Sequence, residues 1–134
     1  MPNDKKLFSG KESKVIRNVL IVEGDHDLGD MLAQAIALET HCQPIVVTDG
    51  SEALSVVHTH KPDLLLVDYR LPRMNGIEFY DWLCTTIGLE DIPAIIMSAE
   101  DGKPKSASAQ RYPEILRKPF SLEALLAAVA RYVN

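Results

Sequence analysis

Leu64-Leu-Leu-Val67 is a short run of apolar residues that ends at Asp68. A run of this length, apolar at every position, is typical of a strand buried on both faces of a parallel sheet. The following residues contain Pro72 and the pair Asn75-Gly76, which indicates a loop. Apolar residues then recur at helical spacing, at Ile77, Tyr80, Leu83, Cys84 and Ile87. The segment therefore predicts a buried strand, a polar loop and an amphipathic helix in succession.

The same succession occurs along the rest of the chain. The other predicted strands are Val19–Val22, Ile45–Val47, Ala94–Met97 and Ile115-Leu116. A helix is predicted after the first strand with Asp25 or Asp27 as N-cap, and another after the fifth strand with Ser121 as N-cap. Gly102–Tyr112 is at best a poor helix, because it contains Pro104 and many small residues. Five strands alternating with helices predict an α/β fold, a doubly wound parallel sheet in a three-layer sandwich.

Composition excludes several classes of protein. The chain has 134 residues and a formal net charge of −5, which fits one acidic domain and disfavours a constitutive binder of nucleic acid or anionic membrane. No apolar run approaches the roughly 18 residues of a spanning helix, and the N-terminus lacks the apolar stretch of a signal peptide. Cys42 and Cys84 lack metal-site spacing, so we expect buried thiols and a cytoplasmic location.

Charge is distributed unevenly along the chain. Residues 1–17 hold five basic and two acidic side chains, a net of +3, which leaves −8 for the other 117 residues. The segment has no sustained apolar face, so we predict a flexible basic leader over 1–17 and one folded domain over 18–134. A docking role for the basic leader is an open alternative.

Chemically distinctive residues follow the predicted strands. In a doubly wound sheet the functional crevice lies at the carboxyl ends of the strands. The residues at these positions are Glu23, Asp25, Asp68, Ser98 and Lys118. Each alone has an ordinary explanation, as a helix cap or a solvated charge. Together, clustered carboxylates favour a hard divalent cation such as Mg²⁺, and the nearby hydroxyl and ammonium favour a phosphoryl group accepted by a nucleophilic Asp68.

The order of these motifs resembles the receiver domain of two-component response regulators, the CheY-like superfamily. The likeness runs from about Asn18 to Val133, and its most specific parts are Pro62–Gly76 and Lys118-Pro-Phe120. It implies a flavodoxin-like sheet of strand order 2-1-3-4-5. It also implies a signalling protein, rather than a conventional enzyme, that takes a phosphoryl group from a histidine kinase or phosphotransfer protein. Such a domain signals to an effector by a conformational change.

The resemblance implies a role for each residue of the site. Asp68 would be the phosphoacceptor, Ser98 would hydrogen-bond the phosphoryl group, and Lys118 would pair with the phosphoryl oxygens. Mg²⁺ would be bound by Glu23, Asp68 and the main-chain carbonyl of Arg70.

Three departures from the family pattern accompany these matches. Gly24 stands where the family usually has a second carboxylate that binds the metal directly. We therefore expect weak Mg²⁺ binding unless Asp25, one residue later, supplies the ligand. Ile115 stands where Tyr or Phe is usual, and the segment between Asp101 and Pro113 has weak helix signals.

Alternative functions fit the same residues less fully. The acidic first loop would repel the phosphate of a flavodoxin-like cofactor, and Gly24 and Gly29 lack the following Lys-Ser/Thr of a Walker motif. A two-aspartate phosphohydrolase is disfavoured because Arg70 stands two residues after Asp68. The main alternative is a pseudo-receiver, an interaction module with impaired Mg²⁺-dependent phosphorylation, which Gly24 and Ile115 favour.

Two patterns outside the site also carry expectations. On the last helix, the residues expected to face the sheet are Leu122, Leu125, Leu126 and Val129. His58-Thr-His60 lies near a predicted helix end, where a contact with the helix dipole is favoured over a metal site.

Overall fold

The computed structural model describes residues 16–86, 89, 91–99 and 113–133, in which strands and helices alternate. The elements in chain order are β1 (Arg17–Val22), α1 (His26–Glu39), β2 (Cys42–Val47), α2 (Gly50–Thr59), β3 (Leu64–Asp68), β4 (Arg70–Leu71), β5 (Met74–Asn75), α3 (Gly76–Thr85), β6 (Ala94–Ser98), β7 (Glu114–Arg117) and α4 (Leu122–Val133). Gly102–Tyr112, Ile87 and all but the last two residues of the predicted leader lie outside the described residues.

Five strands form one parallel sheet of order β2-β1-β3-β6-β7. Counted without the short β4–β5 pair, this is the predicted order 2-1-3-4-5, which is therefore confirmed. The apolar runs lie side by side in the sheet, since Leu20 pairs with both Ile45 and Leu65, and Leu66 pairs with Ile95. The sequence predicted a loop between the third strand and its helix; within that loop β4 and β5 form a two-stranded antiparallel hairpin.

The sheet is covered on both faces, which confirms the predicted doubly wound, three-layer arrangement. Alternate residues of the central strands point to opposite faces. Leu65 and Val67 pack in the core beneath α2 and α3, whereas Leu64 and Leu66 pack in the core beneath α1 and α4. All five residues of β3 are buried, which is the burial pattern of a central parallel strand.

Polar side chains fix the start of each helix close to a strand end. Asp25 caps α1 by accepting hydrogen bonds from two main-chain N–H groups of the first turn, and Asp49 caps α2 by accepting one. Asn75 and Glu78 form a reciprocal capping box at α3, and Ser121 accepts from the first turn of α4, as predicted. The helix N-termini, with their partial positive charge, consequently begin near the carboxyl edge of the sheet.

The inward face of α4 differs in one residue from the prediction. Leu125 and Val129 are fully buried and Leu126 is half-buried, but Leu122 is 50% exposed, so its prediction was wrong. The buried stripe is completed instead by Ala128, at helical spacing from Leu125. Leu122 lies on the first turn, beside a groove between α1 and α4 rather than against the sheet.

The described residues also bear on the cysteines and on the length of the helices. Cys42 and Cys84 are buried thiols, as predicted. No helix in the part of the chain that the structure describes has the length and apolar content needed to cross a bilayer.

Candidate functional site

Three charged side chains meet at the carboxyl edge of the sheet. Asp68 is the last residue of β3, and Glu23 directly follows β1, where its main-chain N–H donates to Val47. The ammonium Nζ of Lys118, which directly follows β7, lies 3.2 Å from Asp68 Oδ1 and 3.8 Å from Glu23 Oε1. Residues 50 positions apart in the sequence thus form one ion-paired cluster.

Ser98 lies at the same edge. It is the last residue of β6 and 1% exposed, and it follows Met97, which pairs directly with Asp68 in the sheet. The main-chain carbonyl of Ser98 accepts a hydrogen bond from the N–H of Lys118 at 2.9 Å. This bond ties the Lys118 backbone to the end of β6, and the Lys118–Pro119 peptide is cis.

The β4–β5 hairpin folds back over Asp68. The N–H of Arg70 lies 3.4 Å from Asp68 Oδ1, and the Arg70 side chain is exposed. Gly76 N–H donates to Tyr69 at 2.7 Å, and a Cβ on Gly76 would lie only 2.6 Å from the main-chain oxygen of Asp68. Because no side chain fits in that space, Gly76 is needed for the close approach of α3 to the end of β3.

The role of Gly76 was missed at the level of the sequence. The pair Asn75-Gly76 indicated a loop, but Asn75 ends β5 and caps α3, and Gly76 is the first residue of α3. The stronger signal was the place of Gly76 at the start of a helix and shortly after Asp68. There, a glycine admits close packing of two backbone segments.

Glu23 is the more deeply buried of the two carboxylates in the cluster. It is 2% exposed; its Oε2 accepts a hydrogen bond from Asp25 N–H at 3.2 Å, whereas its Oε1 accepts none. Burial raises the pKa of Glu23 to about 7, and the neighbouring Asp68 carboxylate adds to this rise. The hydrogen bond from Asp25 and the positive charge of Lys118 oppose it. A buried carboxylate oxygen without a donor is a favourable place for a cation.

The side chain of Asp25 caps α1 and does not belong to this cluster. Its Oδ1 accepts hydrogen bonds from the main-chain N–H groups of Asp27 at 2.9 Å and Leu28 at 3.2 Å, and its side chain is exposed. The alternative of Asp27 as N-cap is therefore wrong, because Asp27 lies within the first turn of α1.

The backbone at Gly24 leaves room for a side chain. Its φ lies outside the left-handed region, and a Cβ would meet only the main-chain oxygen of Thr48, at an ordinary 3.8 Å. Glycine is therefore not required by the local conformation. The turn therefore does not explain why a carboxylate is missing at this position. Its absence changes the chemistry of the site and is not required by the backbone.

The donor set fits a hard divalent cation in part. Glu23 and Asp68 offer carboxylate oxygens at one edge, and one of these oxygens is buried without a hydrogen bond. Among the described residues, however, no three His, Cys, Asp or Glu side chains lie close enough together to hold a metal. Two carboxylates support a cation that keeps most of its waters, which is a usual mode for Mg²⁺.

The described neighbourhood of Ile115 is apolar. Ile115 is half-buried in β7 and packs against the core beneath α2 and α3. It pairs in the sheet with Ile96 of β6. A branched aliphatic residue thus occupies the edge strand at the position where the family pattern has an aromatic ring.

Comparison with known proteins identifies the family. The sequence profile described as the response regulator receiver domain matches residues 19–130, which include the whole cluster of Glu23, Asp68, Ser98 and Lys118. The chain belongs to this family. The resemblance drawn from the motifs is therefore confirmed.

Similar proteins agree with this assignment. The receiver domain is 28% identical over 123 residues to the polar-differentiation response regulator DivK of Brucella anthropi, covering 88% of this chain and 97% of DivK. It is 31% identical over 114 residues to the response regulator MprA of Mycobacterium avium, covering 81% of this chain but only 47% of MprA. The chain thus spans about half the length of MprA.

A solved structure supports the fold. The chemotaxis response regulator CheY4 of Vibrio cholerae superposes with a TM-score of 0.76 over 88% of this chain and 99% of that one. At 23% sequence identity this likeness concerns the arrangement of strands and helices.

Proposed function

We propose that the chain is a phosphoaccepting receiver domain in which Asp68 takes a phosphoryl group from a histidine kinase or phosphotransfer protein. The observation that carries the proposal is the position of Asp68, at the end of a buried strand with the Lys118 ammonium 3.2 Å from its Oδ1. A carboxylate held beside a fixed cation suits a reaction in which negative charge arrives at the same place. Membership of the receiver family supports the same assignment.

The chemistry required of the chain is limited. An oxygen of Asp68 forms a bond to phosphorus while the phosphorus–nitrogen bond of a phosphohistidine breaks, and the electron pair remains on the imidazole nitrogen. Lys118 neutralises charge on the phosphoryl oxygens, and the buried Ser98 is proposed to donate a hydrogen bond to one of them. Positioning and charge neutralisation account for most of the catalysis in such transfers.

Mg²⁺ is the proposed cofactor, held by Glu23, Asp68 and the main-chain carbonyl of Arg70. It would supply positive charge beside the phosphoryl oxygens. The buried oxygen of Glu23 that accepts no hydrogen bond supports this assignment, and Gly24 supports weak binding, because a ligand and a negative charge are absent there. Asp25 is the less suitable extra ligand, since its side chain caps α1.

Intact-mass measurement with a small phosphodonor tests the proposal. The wild-type chain should gain the mass of one phosphoryl group with Mg²⁺ and much less without it, and Asp68→Asn should gain none. Asp91→Asn is a matched control, because Asp91 is an exposed aspartate that precedes β6. Undiminished labelling of Asp68→Asn would refute Asp68 as the acceptor.

The second candidate function is a pseudo-receiver that interacts with partners without regulated phosphorylation. Gly24 favours it, because the direct metal-binding carboxylate is missing. Absence of labelling in the wild-type chain at high Mg²⁺, with a folded protein, would support this candidate. In either case we propose a cytoplasmic protein whose partners are signalling proteins rather than nucleic acid or membrane, in keeping with its acidic domain.

A further inference from the structure

An apolar groove lies between α1 and the start of α4, away from the carboxylate cluster. It has a volume of about 350 Å³ and is lined largely by apolar side chains of both helices. Three of these side chains are large and exposed: Leu38 by 77%, Met31 by 55% and Leu122 by 50%. Half of the six large apolar side chains that are exposed among the described residues therefore line one groove. Such a concentration marks a binding surface.

The groove has an acidic border. Asp27 and Asp30 line the neighbouring cavity on α1, which shares Met31 with the groove. The chain from residue 18 onward carries a formal charge of −8. An occupant that combines apolar and basic side chains would match this surface.

The leader of this chain has that composition. Leu7-Phe8 is an adjacent pair of large apolar residues in it, and Lys5, Lys6, Lys11 and Lys14 surround this pair. The pair supplies apolar area for the groove, and the lysines supply charge opposite to that of its border.

The point of attachment brings the leader near the groove. Arg17, the first residue of β1, pairs with Cys42 of β2, and Cys42 follows the C-terminal end of α1 by three residues. The leader therefore joins the domain near the turn of α1 that carries Leu38. From Phe8 to Arg17 an extended chain spans about 30 Å. That exceeds the roughly 10 Å along α1 from Leu38 to Met31.

We propose that residues 5–14 bind in the groove of their own chain. Leu7 and Phe8 then pack against Met31, Leu38 and Leu122, and the lysines lie beside Asp27 and Asp30. The groove continues past Met31 and Phe120 to a second cavity of about 350 Å³ that Lys118 lines.

Methionine methyl groups provide a direct test on the full chain. The sequence has four methionines, and Met31 lies in the groove, Met74 on the β4–β5 hairpin and Met97 in the core. In spectra of ¹³C-methyl-labelled protein, the double variant Leu7→Ser, Phe8→Ser should shift the Met31 signal and leave Met74 and Met97 unchanged. An unchanged Met97 signal reports that the core is intact. The matched control Ser9→Ala, Ser13→Ala keeps the apolar pair and should shift none of the three.

A nitroxide at Ser9→Cys distinguishes the possible occupants, since Cys42 and Cys84 are buried. The label should broaden the Met31 signal and spare Met74, and Phe8→Ser should remove this selectivity. At about 1 M salt, where charges are screened within about 3 Å, the selective broadening should fall by about half.

Two results would overturn binding within the chain. One is a Met31 signal that the double variant does not shift, or that the nitroxide broadens no more than Met74. The other is broadening of isotope-labelled chains by separate spin-labelled chains, because that result assigns the groove to a second copy. Neither measurement involves phosphorylation, so failure of this proposal is separate from failure of Asp68 as acceptor.

Discussion

Two carboxylates of this domain each lie beside a positively charged side chain, yet their pKa values are shifted in opposite directions. Glu23, at the carboxyl edge of the sheet, is almost fully buried, and burial raises its pKa to about 7. Glu114, at the start of β7, is also partly buried, which by itself would raise its pKa. Hydrogen bonds from Arg131 and from Tyr132 at 2.5 Å outweigh this and hold the pKa of Glu114 below its usual value.

The pKa values differ in direction because the two carboxylates have different numbers of hydrogen-bond donors. The charges nearby do not explain the difference, since each carboxylate has one positively charged side chain close to it. Both oxygens of Glu114 accept hydrogen bonds from the end of α4, whereas Glu23 Oε1 accepts none. A carboxylate whose two oxygens both accept hydrogen bonds stabilises the position of a helix and is less available to a ligand. Incomplete bonding in a buried carboxylate is costly to the fold and leaves that oxygen free for a bound cation. The comparison thus separates a structural ion pair from a proposed binding site.

The largest expected effect is on the rate of labelling, and it distinguishes the two positively charged side chains, Lys118 and Arg131. Lys118→Gln should reduce labelling of Asp68 by a small phosphodonor by about 100-fold or more, as removal of one stabilising donor does in other charge-stabilised transfers. Arg131→Gln should leave the labelling rate within about twofold, because Arg131 contacts Glu114 and Tyr132 rather than the cluster. Rates from intact mass measure both variants. Equal rates for Lys118→Gln and the wild type would contradict the proposed role of the lysine.

The second prediction asks what holds α4 in place. Leu125 is fully buried, so Leu125→Ala should lower the free energy of unfolding by about 2–5 kcal/mol. Arg131→Gln removes a largely exposed ion pair and should lower it far less than Leu125→Ala does. Urea unfolding measures both. A loss below about 0.5 kcal/mol for Leu125→Ala would mean that this face of α4 is not packed against the sheet.

The third prediction concerns pH, where the two carboxylates should act in opposite directions. The raised pKa of Glu23 means that the folded state holds a proton between pH 4.5 and 7 that the unfolded state has lost. Stability from Glu23 is therefore present below pH 4.5 and lost as pH rises towards 7, by about 3 kcal/mol at 1.36 kcal/mol per pKa unit. The lowered pKa of Glu114 gives stability that is present above pH 4.5 and lost in more acidic solution.

Urea unfolding in EDTA from pH 3 to 8 measures these pH effects. Relative to the wild type, Glu23→Gln should become more stable as pH rises from about 4.5 to 7. Glu114→Gln should be less stable than the wild type above pH 4.5, and this difference in the free energy of unfolding should disappear as pH falls below 4.5. A difference between wild type and Glu23→Gln that is independent of pH would show that the Glu23 carboxylate is solvated or has found donors.

The fourth and smallest prediction adds the carboxylate that the cluster lacks. Gly24→Asp should tighten Mg²⁺ binding by about tenfold. This gain requires only a part of the electrostatic attraction between charges about 4 Å apart. It should also speed the labelling of Asp68. The local backbone admits the side chain, so folding should be preserved. The variant Gly24→Asn is a control that adds similar volume without charge.

Titration of Mg²⁺ against the wild type and both variants decides this prediction. Tight binding by the wild type, equal to that of Gly24→Asp, would mean that another residue supplies the ligand. Equal tightening by Gly24→Asn would mean that an added ligand oxygen, rather than negative charge, limits binding. We expect the wild type to require Mg²⁺ in the millimolar range.

Local pattern was enough to predict the parallel sheet and most of the cluster, whereas the strand order came from the resemblance to the receiver family. Short apolar runs mark buried strands, and the carboxyl ends of parallel strands lie along one edge. Asp68 and Lys118 could therefore be assigned to one site although 50 residues separate them. Such inferences need only neighbouring residues and a general rule of topology. For the same reason the buried positions of Leu125 and Val129 were predicted correctly.

Packing decided the features that the pattern left open or misjudged. Asp25 rather than Asp27 caps α1, and Leu122 faces a groove instead of the sheet, because burial depends on what the neighbouring element covers. The need for Gly76 arises because a Cβ there would lie 2.6 Å from the main-chain oxygen of Asp68, a proximity that only the folded chain creates. The lack of a hydrogen bond to Glu23 Oε1 is likewise a property of the folded site, since the number of donors around a buried atom is set by residues distant in the sequence.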